Sequence, residues 1–398
     1  MGSRRITRRT FGGLGTALAG VASFPAIVRA ADPIKIGFLG PLSGALAFVG
    51  QTNQNCLNLA VSEINEAGGV LGRKLEVVAE DSQMSTKTSL DKSRKLFQSD
   101  GVIAITGLVL ASEREAALSV AAQAKRYVLF PNFDEGRCHP NLIVTGLATN
   151  QGTVPMMQWL TKNVGKTMYV IASDVSTNRD IAMASLKGEL ERQGGKVVGV
   201  QYFPFGTRDF GPALQQVAAA APDMVWHAIG DDPITFVKQY HSFAMKPQLV
   251  TPLVHESIAA ATEEASVGNI GVESSYMSVD TPANRAFVDA YSKRFADFTP
   301  RRVRGKVVIL PHGEKTYVSA KLLAEAIRLG GGTDFEALRK GFGQVVLKAP
   351  RGTVRVDLGA SHLTSDTLVG KVMPDRGIDV IARLGPIAPT CTGQKGAG

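Results

Sequence analysis

Cysteine, histidine and serine are the side chains best able to attack a substrate, shuttle protons or hold a metal, and their spacing here argues against all three. Cys56, Cys138 and Cys391 lie far apart, with no Cys-x-x-Cys pair for metal or redox chemistry. An odd count leaves at least one thiol free, and Cys56, inside a helical pattern, reads as a small buried hydrophobe. The six histidines show neither His-Glu-x-x-His nor close pairing, so no zinc site is expected. Gly-x-Ser-x-Gly is absent, and Gly37 and Gly40 lack the third glycine of a dinucleotide-binding turn. Neither a catalytic class nor a cofactor is implied. The polar residues left to act sit in loops that follow apolar runs.

Those runs alternate with amphipathic stretches. Ile34–Leu39 reads as a buried strand, followed by the turn Gly40-Pro41-Leu42-Ser43-Gly44 and a helix over 49–67 that ends at Gly68-Gly69. Strands are expected over 75–79, 102–105 and 127–130, with helices over 85–98 and from Ser112 onward. The rhythm restarts after Asn150, with strands over 167–171, 197–200, 224–228 and 248–250 and helices over 179–193, 210–219 and 234–243. Strands written as continuous apolar runs belong to parallel sheets covered on both faces. The expected class is therefore α/β, as two doubly wound parallel-sheet lobes. In such sheets a ligand sits beyond the carboxyl ends of the strands. That directs attention to loops 40–50, 107–113, 131–136, 173–179, 230–233 and 255–259.

The N-terminus bears on location. Thr7-Arg8-Arg9-Thr10-Phe11 precedes an apolar, Gly/Ala-rich stretch from Gly12 to Val28, and Val28-Arg29-Ala30 offers small residues for cleavage. The segment resembles a twin-arginine export signal, so residues 1–30 are expected to be removed and the rest to work in the periplasm. It is short of the roughly 20 apolar residues that span a bilayer and is broken by Pro25, so no stable membrane insertion is expected. Of the net charge of +9, five units come from Arg4, Arg5, Arg8, Arg9 and Arg29, which leaves +4 on the remainder. That is an ordinary soluble surface with no nucleic-acid footprint.

Several segments together resemble the type I periplasmic binding proteins of ABC importers, in particular the hydrophobic amino acid and amide uptake family with its leucine-binding and urea- or amide-binding members. They are Gly40-Pro41-Leu42-Ser43-Gly44, the stretch from Glu63 to Leu75, Glu80-Asp81-Ser82, Asn150-Gln151-Gly152, Thr207-Arg208-Asp209-Phe210 and Pro222-Asp223-Met224-Val225. The resemblance runs from Ile34 to Asp379. It implies two lobes joined by three crossings: 34–149 plus 279–347, and 150–278 plus 348–384, followed by a disordered tail over 385–398. It also implies a monomeric receptor that closes on a small-molecule ligand by hinge motion and presents it to a membrane permease. An amide-sensing regulator would share the fold but work in the cytoplasm, against the export signal.

The same resemblance suggests the site. In amino-acid-binding members, the loop before the third helix offers hydroxyls and backbone N–H groups to a carboxylate, since a helix N-terminus suits an anion. Here the loop from Gly107 to Glu113 keeps Ser112 as its one hydroxyl, with Leu110 and Ala111 where polar residues are usual. Ser112 is expected at the helix N-cap, with or without a ligand contact. The change admits a small aromatic or aliphatic acid beside the amino acid, amide or urea-like solute that the family implies. Glu256 corresponds to the carboxylate that meets a ligand ammonium, and Asp231 to a polar cleft position of the urea- and amide-type members. Their plainer roles are a solvated loop carboxylate and a helix cap, the latter fitting Asp232 better. Asn132 and Phe133 follow the fourth strand and face the cleft, and Asn178 takes a position often held by an aromatic residue. Phe48 is expected at the mouth, and His312 in a mainly structural role.

Overall fold

A computed structural model describes residues 1–2, 32–175, 178–179, 183–252 and 254–391. The arginine pair and the apolar run after it lie outside the described residues. The chain from Asp32 onward forms one compact unit.

Its first half is built from β1 (Ile34–Gly40), α1 (Ala47–Glu66), β2 (Leu75–Asp81), α2 (Thr86–Arg94), β3 (Ala104–Thr106), α3 (Ala111–Ala124), β4 (Tyr127–Phe130) and β5 (Leu142–Val144). The second half repeats the rhythm: α4 (Thr149–Asn163), β6 (Thr167–Ser173), α5 (Met183–Arg192), β7 (Lys196–Phe203), α6 (Gly211–Ala220), β8 (Met224–Ala228), α7 (Pro233–Ser242), β9 (Gln248–Thr251), α8 (Glu256–Thr262) and β10 (Ile270–Glu273). The chain then packs back on the first half through α9 (Pro282–Arg294), the small hairpin β11 (Arg302–Val303) and β12 (Lys306–Val307), α10 (Pro311–Gly330) and α11 (Phe335–Phe342). It closes with β13 (Val346–Ala349), β14 (Gly352–Asp357), β15 (His362–Val372) and β16 (Ile378–Ile387).

The strand order is β2-β1-β3-β4-β5 in one half and β7-β6-β8-β9-β10 in the other, all parallel. Both are the same doubly wound order, in which the chain reverses its winding between the first and third strands and leaves a crevice at their carboxyl ends. The expected fold class therefore holds. Helix starts are fixed by local chemistry: Ser85 caps α2, Asp232 caps α7 ahead of Pro233, and Thr281 caps α9 ahead of Pro282. The helix expected over 85–98 is α-helical only to Arg94, then widens into a π turn over Lys95–Ser99 that buries Leu96 and Phe97. Cys56 is fully buried in the first-half core, as its helical pattern suggested.

Two features depart from the expected segmentation. Residues 348–363 were placed with the second lobe, yet Ala349, Val354 and Leu363 pack in the core that holds Ile34 and Phe38, because β13 and β14 form antiparallel pairs on that side. The chain passes to the second half only within β15. The tail was expected to be disordered from residue 385, but β16 continues to Ile387, and a disulfide joins Cys391 to Cys138 in the loop after β4. Asn150 also holds this end, donating to the Ala388 carbonyl and accepting from the Thr390 N–H.

That disulfide closes a loop of 253 residues in the unfolded chain. Cys391→Ser is expected to lower unfolding stability by about 2–4 kcal/mol, measured by urea denaturation. Reductant should lower the native protein to the level of the variant and leave the variant unchanged.

Candidate functional site

The carboxyl ends of the two sheets face a cavity of about 400 Å3. Its wall takes Val109 and Leu110 from the loop after β3, Ala111 and Ser112 from the first turn of α3, Asn132 and Phe133 from the loop after β4, and Asn178, Gly230 and Pro252 from loops of the second half. All but Pro252 lie in loops that the strand-end argument singled out, and loops 40–50 and 255–259 contribute no lining residue. Two glycines let the walls close in. Gly107 has φ +104°, and a Cβ there would meet the Phe38 ring at 2.5 Å; at Gly146 a Cβ would lie 1.8 Å from the Asn132 carbonyl oxygen.

Most of the lining is apolar or aromatic, with Phe130, Phe133, Trp226, Leu147, Met156 and Leu186 prominent. One polar run is rigidly set. The Asn132 Nδ2 donates to the Val109 carbonyl (2.7 Å), and its Oδ1 accepts from the Phe133 N–H (2.7 Å), which fixes the amide orientation. His312 Nε2, 3.0 Å from that Oδ1, must then be the donor. Burial, with the nearby Lys315 and His255, holds the His312 pKa well below the usual value, so the ring is neutral and Nδ1 keeps its lone pair.

Among the described residues lining the cavity, only Lys315 and Glu273 carry charge. They come from opposite halves, Lys315 from the first turns of α10 and Glu273 from the end of β10, and lie 2.7 Å apart. Their exposures are 1% and 7%, so the pair is desolvated. The Ser274 N–H (3.0 Å) also bonds Glu273 Oε2. The pair is supported from behind: Arg351 ion-pairs with Glu314, next to Lys315, and donates to the Thr145 carbonyl at 2.8 Å. The Thr145 hydroxyl meets the Lys315 carbonyl at 3.2 Å and the Ser319 hydroxyl at 3.0 Å.

Of the residues expected in the site, Leu110, Ser112, Asn132, Phe133, Asn178 and His312 line the cavity. Ser112 is not the helix cap. Leu110 holds that position, and buried Glu113 turns back to accept the Leu110 N–H at 3.0 Å. Glu113 is thus occupied with α3 itself. Asn178 is tied to the Ser173 carbonyl at 2.9 Å.

Phe48, Asp231 and Glu256 do not line the cavity. Phe48 stacks on Phe298 with centroids 5.3 Å apart, under the Arg301 guanidinium. Asp231 points away, accepting the Gly206 N–H at 2.7 Å and pairing with Arg208 at 3.6 Å. Its neighbour Asp232 caps α7 by accepting from the Thr235 N–H. Glu256 is neither solvated nor in the cavity wall: it is buried at the start of α8 and accepts the Met277 N–H at 2.6 Å, where the chain returns to the first half. Lys315 and Glu273 were missed. The available signal was a lysine on an apolar stripe (Pro311, Lys315, Val318 and Leu322 are all buried) and a carboxylate ending the apolar run Ile270-Gly271-Val272.

Against known proteins, the model of the family described as periplasmic binding protein matches residues 33–376. The chain belongs to that family. Among curated relatives of this periplasmic binding protein is the Leu/Ile/Val-binding protein homolog 7 of Brucella suis, 27% identical over 84% of this chain and 86% of the relative. Among solved structures, an ABC transporter substrate-binding protein from Sphaerobacter thermophilus is 26% identical, with a TM-score of 0.79 over 90% of this chain and 100% of that one. A solute-binding protein from R. palustris in complex with benzoate is 20% identical, with a TM-score of 0.81 over 91% of this chain and 99% of that one.

Burial raises the Glu256 carboxyl from its ordinary 4.5 to about 7, only partly offset by the Met277 N–H. Between those values the folded protein holds a proton that the unfolded chain has lost, so stability falls as pH rises through this window. At about 1.4 kcal/mol per pH unit, the loss reaches roughly 3 kcal/mol. Urea unfolding at pH 5 and pH 8 is expected to show this slope in the native protein and a flatter one in Glu256→Gln.

Proposed function

We propose that the protein is the periplasmic receptor of an ABC importer and that it captures a small carboxylic acid with an apolar body, amino acids included. Residues 1–30 direct export through a twin-arginine-type signal. The two halves then act as lobes hinged at their crossings, and the ligand-closed form, a monomer, is what the membrane permease reads. One observation carries the choice of ligand: the cavity between the halves is largely apolar and aromatic, and the one ammonium among its described lining residues, Lys315, is desolvated and spends a single N–H on its ion pair with Glu273, beside a neutral His312. A desolvated ammonium favours an anionic group, and the aromatic walls favour a flat or branched carbon body.

The names of the relatives support this reading from two sides, one a Leu/Ile/Val-binding homolog and the other a receptor holding benzoate. Asp231, the residue that the resemblance matched to the amide- and urea-type members, faces Gly206 and Arg208 instead of the cavity, which favours the acid over the amide or urea-like solute. No step of bond-making is part of this function. Affinity comes from desolvating the ligand between two surfaces whose polar groups are already placed.

A thermal-unfolding panel on purified protein, refolded to remove carried-over ligand, tests the reading. Benzoate, isocaproate and leucine stand against acetamide and urea. An acid present at 100 times its dissociation constant should add about 2.7 kcal/mol of stability. Stabilisation by at least one acid and by neither neutral compound is the expected result; stabilisation by acetamide or urea alone overturns it.

A further inference from the structure

We infer that the Cys138–Cys391 disulfide is a redox-set tether between the halves: formed, it limits how far they part, and reduced, it frees them. The inference rests on the hinge motion proposed above and names the bond that regulates it.

Cys138 is fixed to the first half without help from the bond. Its loop is held on one side by Asp134, which accepts the Gly136 N–H at 2.7 Å and pairs with Arg114 and His362. On the other side the His139 N–H donates to the Ser361 hydroxyl at 3.0 Å, and that hydroxyl donates back to the His139 carbonyl at 2.8 Å. Ser361 directly precedes the residues of β15 that pair with β5 and β14.

Cys391 is carried by the second half. β16 pairs with β15 from Ser365 onward, along the part of β15 that adjoins β10. Beyond β16, Asn150 in the first turn of α4 holds Ala388 and Thr390, and α4 packs Met156, Met157 and Leu160 into the second-half core. A single peptide bond then separates Thr390 from Cys391, whose Cα lies 5.7 Å from that of Cys138. With about 3.8 Å between neighbouring Cα atoms, Thr390 stays within about 10 Å of Cys138 however the halves move. Among the described residues the backbone joins the halves at three places: between β5 and α4, between β10 and α9, and within β15. The disulfide adds a fourth connection, and unlike those three it opens without cutting the chain.

Cys391 is exposed and Cys138 half-buried, so the bond is within reach of small thiols and disulfides. Cys56 is fully buried in the first-half core and takes no part. In reduction, one thiolate of a dithiol attacks Cys391 Sγ, the S–S bond breaks, and Cys138 leaves as a thiolate that takes up a proton. The second thiol then displaces Cys391 Sγ, so the dithiol gives up two electrons and becomes a disulfide while the chain gains two thiols. An oxidised dithiol reverses the exchange. An oxidising compartment therefore keeps the tether in place, and a reducing one releases it. Once released, the tail keeps its hydrogen bonds to Asn150 on α4, and the halves are joined by backbone alone.

Quenching of Trp226 fluorescence by succinimide reads the parting of the halves, because Trp226 lines the cavity between them. Trp159, the one other tryptophan, is removed throughout by Trp159→Phe. Full-length proteins freed of ligand by refolding are compared in that background: the otherwise native chain, Cys391→Ser, and a slack chain. The slack chain carries about six Gly and Ser residues between Thr390 and Cys391, which give the tether roughly 13 Å more reach. The insertion barely changes the closed loop of 253 residues, so the stabilising effect of the disulfide is kept. A tether implies at least about twofold stronger quenching in both altered chains than in the native one, since the open population sets it. Reduction should bring the native protein to the same level, while the slack chain keeps the native urea midpoint. Equal quenching in all of them overturns the inference and leaves the hinge standing. A rise in Cys391→Ser without one in the slack chain also overturns it, because the bond would then act through stability instead of length. If Trp226 is shielded in every form, the halves do not part and the hinge reading itself fails. The native and slack chains decide the matter even where Cys391→Ser does not fold.

Discussion

One buried amide, that of Gln151, ties the first crossing between the halves, at the start of α4, to β15 and β16. Its Nε2 donates to the Leu363 carbonyl on β15 and to the Ile387 carbonyl on β16, each at 2.8 Å, while Oε1 accepts the Ala148 N–H at the start of α4. The Thr367 hydroxyl returns a bond to the Gln151 carbonyl. The need for such a clamp comes from β15. Its first residues lie beside β5 and β14, and its last beside β10 and β16, so one strand must leave one sheet and enter the other. Where it passes across, its register against β16 shifts between Ser365 and Thr367 and again between Val369 and Gly370. Ladder bonds lost at such shifts must be replaced inside the protein, because buried backbone groups without partners are expensive. The Gln151 amide reaches one carbonyl on each of these strands, and the Thr367 hydroxyl bonds the Gln151 carbonyl, whose helical partner four residues on would be Pro155, which has no N–H.

With the halves joined in this way, the carboxyl ends of two identically ordered sheets face each other, and the cavity follows from topology. Its charged groups then depend on a second shell. Arg351 sits on the turn between β13 and β14, fully buried, and joins Glu314 to the Thr145 carbonyl in the first crossing. Removing one member of such a buried pair leaves an uncompensated charge, at a cost of about 3–5 kcal/mol. The first turns of α10 are thereby fixed to the crossing, and His312 and Lys315 are presented from a rigid platform. On the other side of the same crossing, Asp134 binds His362 and Arg114 and accepts the N–H groups of Gly136 and Arg137. Burial pushes its carboxyl up, but those partners hold it below the ordinary value.

The strands were legible because parallel strands covered on both faces must be apolar throughout, and such runs stand out in Ile34–Leu39, Tyr127–Phe130 and Met224–Ala228. The strand-end loops followed from the doubly wound order, and the family resemblance singled out Asn132, Phe133 and Asn178 within them, all three of which line the cavity. What escaped reading depends on long-range pairing. The three residues Leu142–Val144 are too few to show a period, and β13 and β14 are assigned to the first half only by pairing with the start of β15. Glu256 and Asp231 stand in the right loops, but a loop position does not determine which way a side chain turns. Glu256 turns to the backbone of Met277, and Asp231 to that of Gly206. Lys315 and Glu273 were hidden for the opposite reason: each lies inside a regular element, and their chemistry exists only where the two elements meet.

The fixed tautomer of His312 shows how far the cavity is preorganised. Two backbone groups of the first half set the Asn132 amide, the amide sets the histidine, and the histidine, kept neutral by burial, adds no charge to its surroundings. Each link is made within one half and costs nothing further when a ligand enters. The Lys315–Glu273 contact is different in kind, because it runs between halves. A receptor that must bind and later release its solute benefits from this division. Rigid groups within each half provide shape, while one buried ion pair joins the two walls of the cavity.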